Sequence, residues 1–135
     1  ASKLLSELNK EKLLIMEKDR NYIFYYSNKE DNIFKDLSKI YWNFKLTELV
    51  NFLNKNFTTT SIILFGSLSK AETKSDSDID LCIIGHKKEA DISRFESKLN
   101  RKIQLFFFNS LEDIKSKELA NNIINGYLLE GRLKI

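Results

Sequence analysis

Proline is missing from this chain altogether, and glycine occurs only four times in 135 residues. Ordinary usage is about 5% proline and 7% glycine. Collagen-like repeats, proline-rich linkers and any motif that needs an X-Pro bond are therefore excluded. The single cysteine, Cys82, cannot close an internal disulfide, which removes the stapled secreted scaffolds. The single histidine, His86, leaves zinc sites built on several histidines, and Ser-His-Asp chemistry, without most of their support. No run approaches the roughly 20 apolar residues that a membrane crossing needs. The opening residues, Ala1 to Leu5, carry too short an apolar run for a signal peptide. The expected setting is a reducing cytoplasm, with no membrane partner.

What the chain does have is enough for a core. Apolar residues make up 42% and aromatic residues 12%, while 30% are charged with a net charge of +3. That balance does not suggest disorder. A pI near 8.9 permits an acidic partner such as nucleic acid without demanding one. The length suits one modest domain, or a small domain plus an appendage.

The hydrophobic pattern divides the chain near residue 57. Ser2 to Asn9 reads as a short helix with Leu4, Leu5 and Leu8 on one face. Leu13 to Met16 and Tyr22 to Tyr26 read as two strands, joined by a polar tip from Glu17 to Asn21. Ile33, Phe34, Leu37, Ile40, Tyr41 and Phe44 then recur at helical spacing, and Leu46, Leu49, Val50 and Leu53 continue it as one long helix or two abutting ones. Beyond Phe57 strands and helices alternate. Ser61–Phe65, Asp80–Ile84 and Ile103–Phe108 read as strands, Ser67–Lys74 as helix-permissive, and Asp91–Asn100 as a helix. Ser110 and Asp113 have capping-box spacing. Leu119 to Leu128 reads as a last helix, with Gly131 as its left-handed stop. The expected organisation is 1–56 as an N-terminal unit with a long connecting helix and 57–135 as an α/β (α+β) domain with a small mixed sheet and flanking helices.

One segment concentrates the chemistry: Leu64-Phe65-Gly66-Ser67, ten residues, then Asp78-Ile79-Asp80-Leu81. A glycine between a buried strand and a helix lets a bound group approach the backbone. Ser67 adds a hydroxyl and a backbone N–H, a setting for phosphate. Asp78 and Asp80 stand two apart on a strand, so both carboxylates share a face while Ile79 and Leu81 turn inward. Paired carboxylates at a strand end suit Mg²⁺, and two ions about 3.5–4 Å apart can brace a phosphoryl displacement. A phosphate cradle beside such a pair implies a nucleoside triphosphate with Mg²⁺.

Gly-Ser, ten residues, Asp-x-Asp resembles the signature of the polymerase-beta-like nucleotidyltransferase superfamily, and in particular its minimal nucleotidyltransferase group. Ile63 to Ser67 and Ser77 to Leu81 carry the resemblance, Lys70 stands where the group has a basic residue, and Asn125 to Gly131 is similar to the group's closing helix. The resemblance implies transfer of a nucleoside monophosphate, AMP from ATP favoured, to a hydroxyl acceptor, with release of pyrophosphate. It assigns Gly66, Ser67 and Lys70 to the nucleotide and Asp78 and Asp80 to two Mg²⁺ ions. The acceptor would be a protein or a small molecule, and some minimal nucleotidyltransferases act as antitoxins that modify a helical toxin partner.

The chain departs from the group at three positions. The group's third carboxylate, which activates the acceptor hydroxyl, falls on Gln104, and an amide is no general base at neutral pH. Leu68 replaces a common arginine and Ala71 a common glycine. Glu72, Asp76 and Glu96 are the acids that could stand in. The other function class consistent with Gln104 is a catalytically silent regulator on the same scaffold. Residues 1–56 also resemble the back half of a winged helix, which implies DNA as a further partner. The cluster Tyr22–Tyr26 reads as core or as a subunit contact, which would make a homodimer.

Overall fold

The computed structural model describes residues 14–19, 22–27, 32–70 and 77–133. Strands β1 (Leu14–Asp19) and β2 (Tyr22–Ser27) form an antiparallel pair of their own, with Leu14 opposite Ser27 and Asp19 opposite Tyr22. The hairpin expected from the sequence is therefore present. The expected helix over Ser2–Asn9 lies outside the described residues.

Helices α1 (Asn32–Lys45) and α2 (Thr47–Asn56) abut at Leu46, whose φ of −95° and ψ of 4° interrupt the helical backbone. Carbonyl bonding continues across the break: Leu46 N donates to Trp42 O at 2.9 Å and Val50 N to Leu46 O at 2.9 Å. Thr47 Oγ1 also donates to Asn43 O at 2.8 Å, the back-bonding by which threonine bends helices.

Four strands build the main sheet: β3 (Thr59–Phe65), β4 (Ile79–Gly85), β5 (Ile103–Phe108) and β6 (Tyr127–Gly131), in the order β5-β4-β3-β6. β3 pairs antiparallel with both neighbours, while β4 and β5 run parallel. A parallel pair needs a crossover, and α3 (Ser93–Leu99) supplies it. Asp91 opens that helix by accepting from Ser93 N at 2.9 Å and from Ser93 Oγ at 2.6 Å, and Asn100 closes it in the left-handed region at φ 51°. Past β5, Ser110 N donates to Asp113 Oδ2 at 3.2 Å around the short turn Leu111–Asp113, the bond that the capping spacing predicts. Helix α4 (Lys117–Ile124) follows.

Strand alternation sorts the interior into two layers. Ile62, Leu64, Ile79, Leu81, Ile83 and Ile103 face Leu46, Leu49, Leu53 and Phe95 of the helices. Ile63, Phe65, Cys82 and Ile84 face Ile114 and Ile123 on the other side.

One expectation is corrected. The last helix ends at Ile124, and Tyr127–Gly131 is an edge strand, with Leu128 opposite Ile63 and Tyr127 opposite Leu64. The reason is local. Gly126 brings the chain so close to β3 that a side chain there would stand 2.4 Å from Leu64 O, and the strand edge takes over from the helix. Gly131 is left-handed as expected, at φ 81°, but closes a strand. The helical stripe of α1 faces outward. Trp42 is buried, whereas Ile33, Leu37, Ile40, Tyr41 and Phe44 are exposed.

Candidate active site

The acidic pair sits where β4 begins, beside the end of β3. Asp80 is opposite Phe65, so its neighbour across the ladder is the residue that precedes Gly66. Gly66 has φ +77°, and a side chain there would lie 2.5 Å from Asp80 Oδ2. Both conditions require glycine: the left-handed backbone and the carboxylate against its α-carbon. The group that approaches Gly66 closely is therefore the acid of the same motif.

Beyond Gly66 the helix-permissive stretch begins as a short 3-10 turn, Ser67–Lys70; residues 71–76 lie outside the described residues. Ser69 Oγ donates to Gly66 O at 2.8 Å and closes the turn on itself. Leu68 is fully buried and belongs to the layer under the helices. That position anchors the turn instead of reaching outward as an arginine would. Lys70 is the last residue of the turn.

Asp80 is held on the second face of the sheet by the alternation that buries Ile79 and Leu81 on the first. Its carboxyl titrates above the ordinary carboxylate range, first because burial penalises the charge and second because Asp78 adds a like charge. Gln104 is the register partner of Asp80 on β5. Its Nε2 donates to Asp78 Oδ2 at 2.9 Å. Asp78, Asp80 and Gln104 therefore meet, and the amide donates a hydrogen bond to one carboxylate instead of adding a third charge. Among the described residues no three His, Cys, Asp or Glu side chains converge as a metal cluster. Glu96 does not replace the missing acid, because its Oε2 accepts from Ile103 N at 2.9 Å. Glu72 and Asp76 lie outside the described residues.

Sequence reasoning missed Arg101. Its Nη1 donates to Ser77 O at 2.7 Å, and its guanidinium lies 5.3 Å from the centre of the Trp42 ring. Ile79 N donates to Lys102 O at 2.8 Å alongside. Together these bonds tie the entry of β4 to β5 and to α1, and so aim Asp78. Only the parallel pairing of β4 with β5 brings residue 101 to residue 77, and no spacing in the sequence signals it.

Residues 47–132 match the family model described as polymerase beta, nucleotidyltransferase. No curated protein matches the chain. Among solved structures, a toxin–antitoxin pair with AMP-PNP is similar at 23% identity and a TM-score of 0.50, over 64% of this chain and 73% of that one. A mutant of the toxin–antitoxin pair MntA–HpeT is similar at 21% identity and a TM-score of 0.48, over 64% and 72%. With the family match spanning α2 and every strand of the main sheet, the chain belongs to the polymerase beta nucleotidyltransferase family.

Proposed function

We propose that this chain binds a nucleoside triphosphate, ATP favoured, with Mg²⁺ in the cytoplasm, and transfers its nucleoside monophosphate to a hydroxyl on a protein partner. The observation that carries this reading is the contact of Asp80 with Gly66, which joins the two halves of the motif at one end of the sheet. The AMP-PNP and the toxin–antitoxin pairing named for one similar structure support an ATP-type donor and a protein acceptor. Gly66, Ser67 and Lys70 are proposed to cradle the triphosphate. Asp78 and Asp80 are proposed to hold Mg²⁺. Their donor set fits it: hard oxygens, with like charge between the two carboxylates that a cation relieves. Magnesium is commonly held by one or two carboxylates plus substrate phosphates. When bound, it would supply charge neutralisation on the triphosphate. Gln104 holds Asp78 in place but takes up no proton, so the acceptor hydroxyl has no carboxylate base at that position.

The hydrogen bond between Gln104 and Asp78 also favours a second reading, a nucleotide-binding regulator without turnover. One experiment separates the two. The chain is incubated with Mg²⁺, labelled ATP and candidate helical protein acceptors, alongside Asp78→Asn/Asp80→Asn and Gln104→Asp. Label transfer by the native chain, lost in the double variant, supports the transferase. Nucleotide binding without transfer, with transfer appearing only in Gln104→Asp, supports the regulator. Binding unaffected by the double variant overturns both. Saturating nucleotide at 100 times its Kd is expected to stabilise the fold by about 2.7 kcal/mol, measured as a rise in Tm.

A further inference from the structure

On the face of the sheet away from the acidic pair, α2 and α3 leave a groove that the described residues do not fill. Two adjoining cavities of about 480 Å³ each run along these helices and share Glu48, Phe95 and Lys98. Their floor is aromatic. The rings of Phe52 and Phe95 lie 5.1 Å apart, and Phe44, 79% exposed, stands at one end. Their rim is basic: Lys45, Lys55, Arg94 and Lys98 line it with one carboxylate, Glu48, and Asp91 lies near enough to Arg94 to feel its charge. The guanidinium of Arg94 lies 5.0 Å from the Phe52 ring centre and 4.6 Å from that of Phe95.

Glu48 and Lys98 pair at 2.5 Å, with both side chains more than half exposed. Exposed pairs of this kind contribute about 1 kcal/mol or less and are screened by salt. Lys98 can therefore exchange Glu48 for an incoming carboxylate. We propose that this groove docks an amphipathic α-helix of a protein partner. Its apolar stripe would seat on Phe44 and Phe52, above the buried ring of Phe95, and its flanking Asp and Glu side chains would pair with the rim. Charge complementarity selects the acidic partner, since the four rim cations outnumber their acidic neighbours Glu48 and Asp91. Shape selects a helix: a third helix packs 8–10 Å from its neighbours and presents anchors at helical spacing to a groove of this kind. A duplex would touch the rim with its phosphates and leave the rings uncovered. The groove is built on the layer with Leu49, Leu53 and Phe95, whereas Asp80 and Gln104 sit on the other, so docking is independent of the transfer reading.

The probe is a synthetic peptide of about 20 residues with leucines at every third and fourth position and glutamates on both flanks. Controls are a scramble of the same composition and a DNA duplex of about 20 base pairs. Binding to the full chain is read by fluorescence anisotropy at low and high salt. The amphipathic peptide is expected to bind at least tenfold more tightly than either control. Lys55→Glu/Arg94→Glu is expected to weaken it at least tenfold and to gain binding of the lysine-flanked version of the same peptide. Phe44→Ala, at a position already in solvent, is expected to weaken both. Equal binding of the scramble, unchanged affinity in the charge-reversal variant, or tighter binding of the duplex overturns the proposal.

Discussion

Asp80 carries three constraints at once: a backbone it presses against, a like charge two residues away, and partial burial. Gly66→Ala would set a methyl 2.5 Å from Asp80 Oδ2 at a φ of +77°. It is expected to cost about 1–3 kcal/mol in denaturant titrations and to abolish nucleotide binding. The raised pKa of Asp80 has a defined sign. The folded state holds that proton more tightly than the unfolded chain, so the stability this provides is full below the ordinary carboxylate range and is lost as pH rises through the raised value. At neutral pH the ionised carboxylate is thus a modest cost, kept small by solvent screening. Asp80→Asn is expected to raise Tm at pH 7 by about 1–3 °C. The gain should narrow as pH falls through the carboxylate range, and Mg²⁺ should raise the Tm of the native chain but not of the variant. Burial pushes the Cys82 thiol up to about 12. An alkylating reagent at pH 8 should leave it unlabelled until the chain is unfolded, since the thiolate is the reactive form. At this scale the motif was legible: the spacing of Gly66 and Asp80 pointed to one site. The direct contact between them was not, because it depends on β3 and β4 pairing with Phe65 opposite Asp80.

Among the elements, the entry of β4 depends on groups far away in sequence. Arg101→Ala removes a bond to Ser77 O and a guanidinium from over Trp42. It is expected to destabilise the chain by about 1–2 kcal/mol and to weaken nucleotide binding by loosening Asp78. Lysine should not restore both, since only the planar guanidinium stacks and donates together. The central strands were plain in the sequence as short apolar runs ending at Gly66 and Gly85. The edge strand β6 was not. Leu119, Ile123, Ile124, Tyr127 and Leu128 keep helical spacing through Gly126, and only the exposed edge of β3 draws Tyr127–Gly131 into the sheet. Tyr127 then reaches α1, its hydroxyl donating to Lys35 O at 3.3 Å. In the same way the apolar stripe of α1 is legible as a stripe, but its spacing does not say which side meets the core. Trp42 and Leu46 settle that, and they leave Ile40 and Phe44 outside.

Over the whole molecule, the family match begins at Thr47 but the core does not. Trp42 is 5% exposed and Leu46 is 0% exposed, and both belong to the layer under α2. A fragment from residue 47 onward is expected to lose several kcal/mol relative to one from residue 32, because burying a large apolar side chain contributes about 1.5–3 kcal/mol. Thermal melts of the two fragments check this. No helix among the described residues is long and apolar enough to cross a membrane, in line with the absence of long apolar runs. By itself the sequence determined the class of the fold, the central strands, and the spacing of the two half-motifs, because alternation and spacing are local properties of the backbone. Tertiary structure decided what those residues touch: Gln104 on Asp78, Arg101 on Ser77, and a groove between α2 and α3 rimmed by cations. Such contacts join distant positions, 50 residues apart for Glu48 and Lys98 and 92 for Tyr127 and Lys35. They exist only once strand pairing and helix packing have chosen a register.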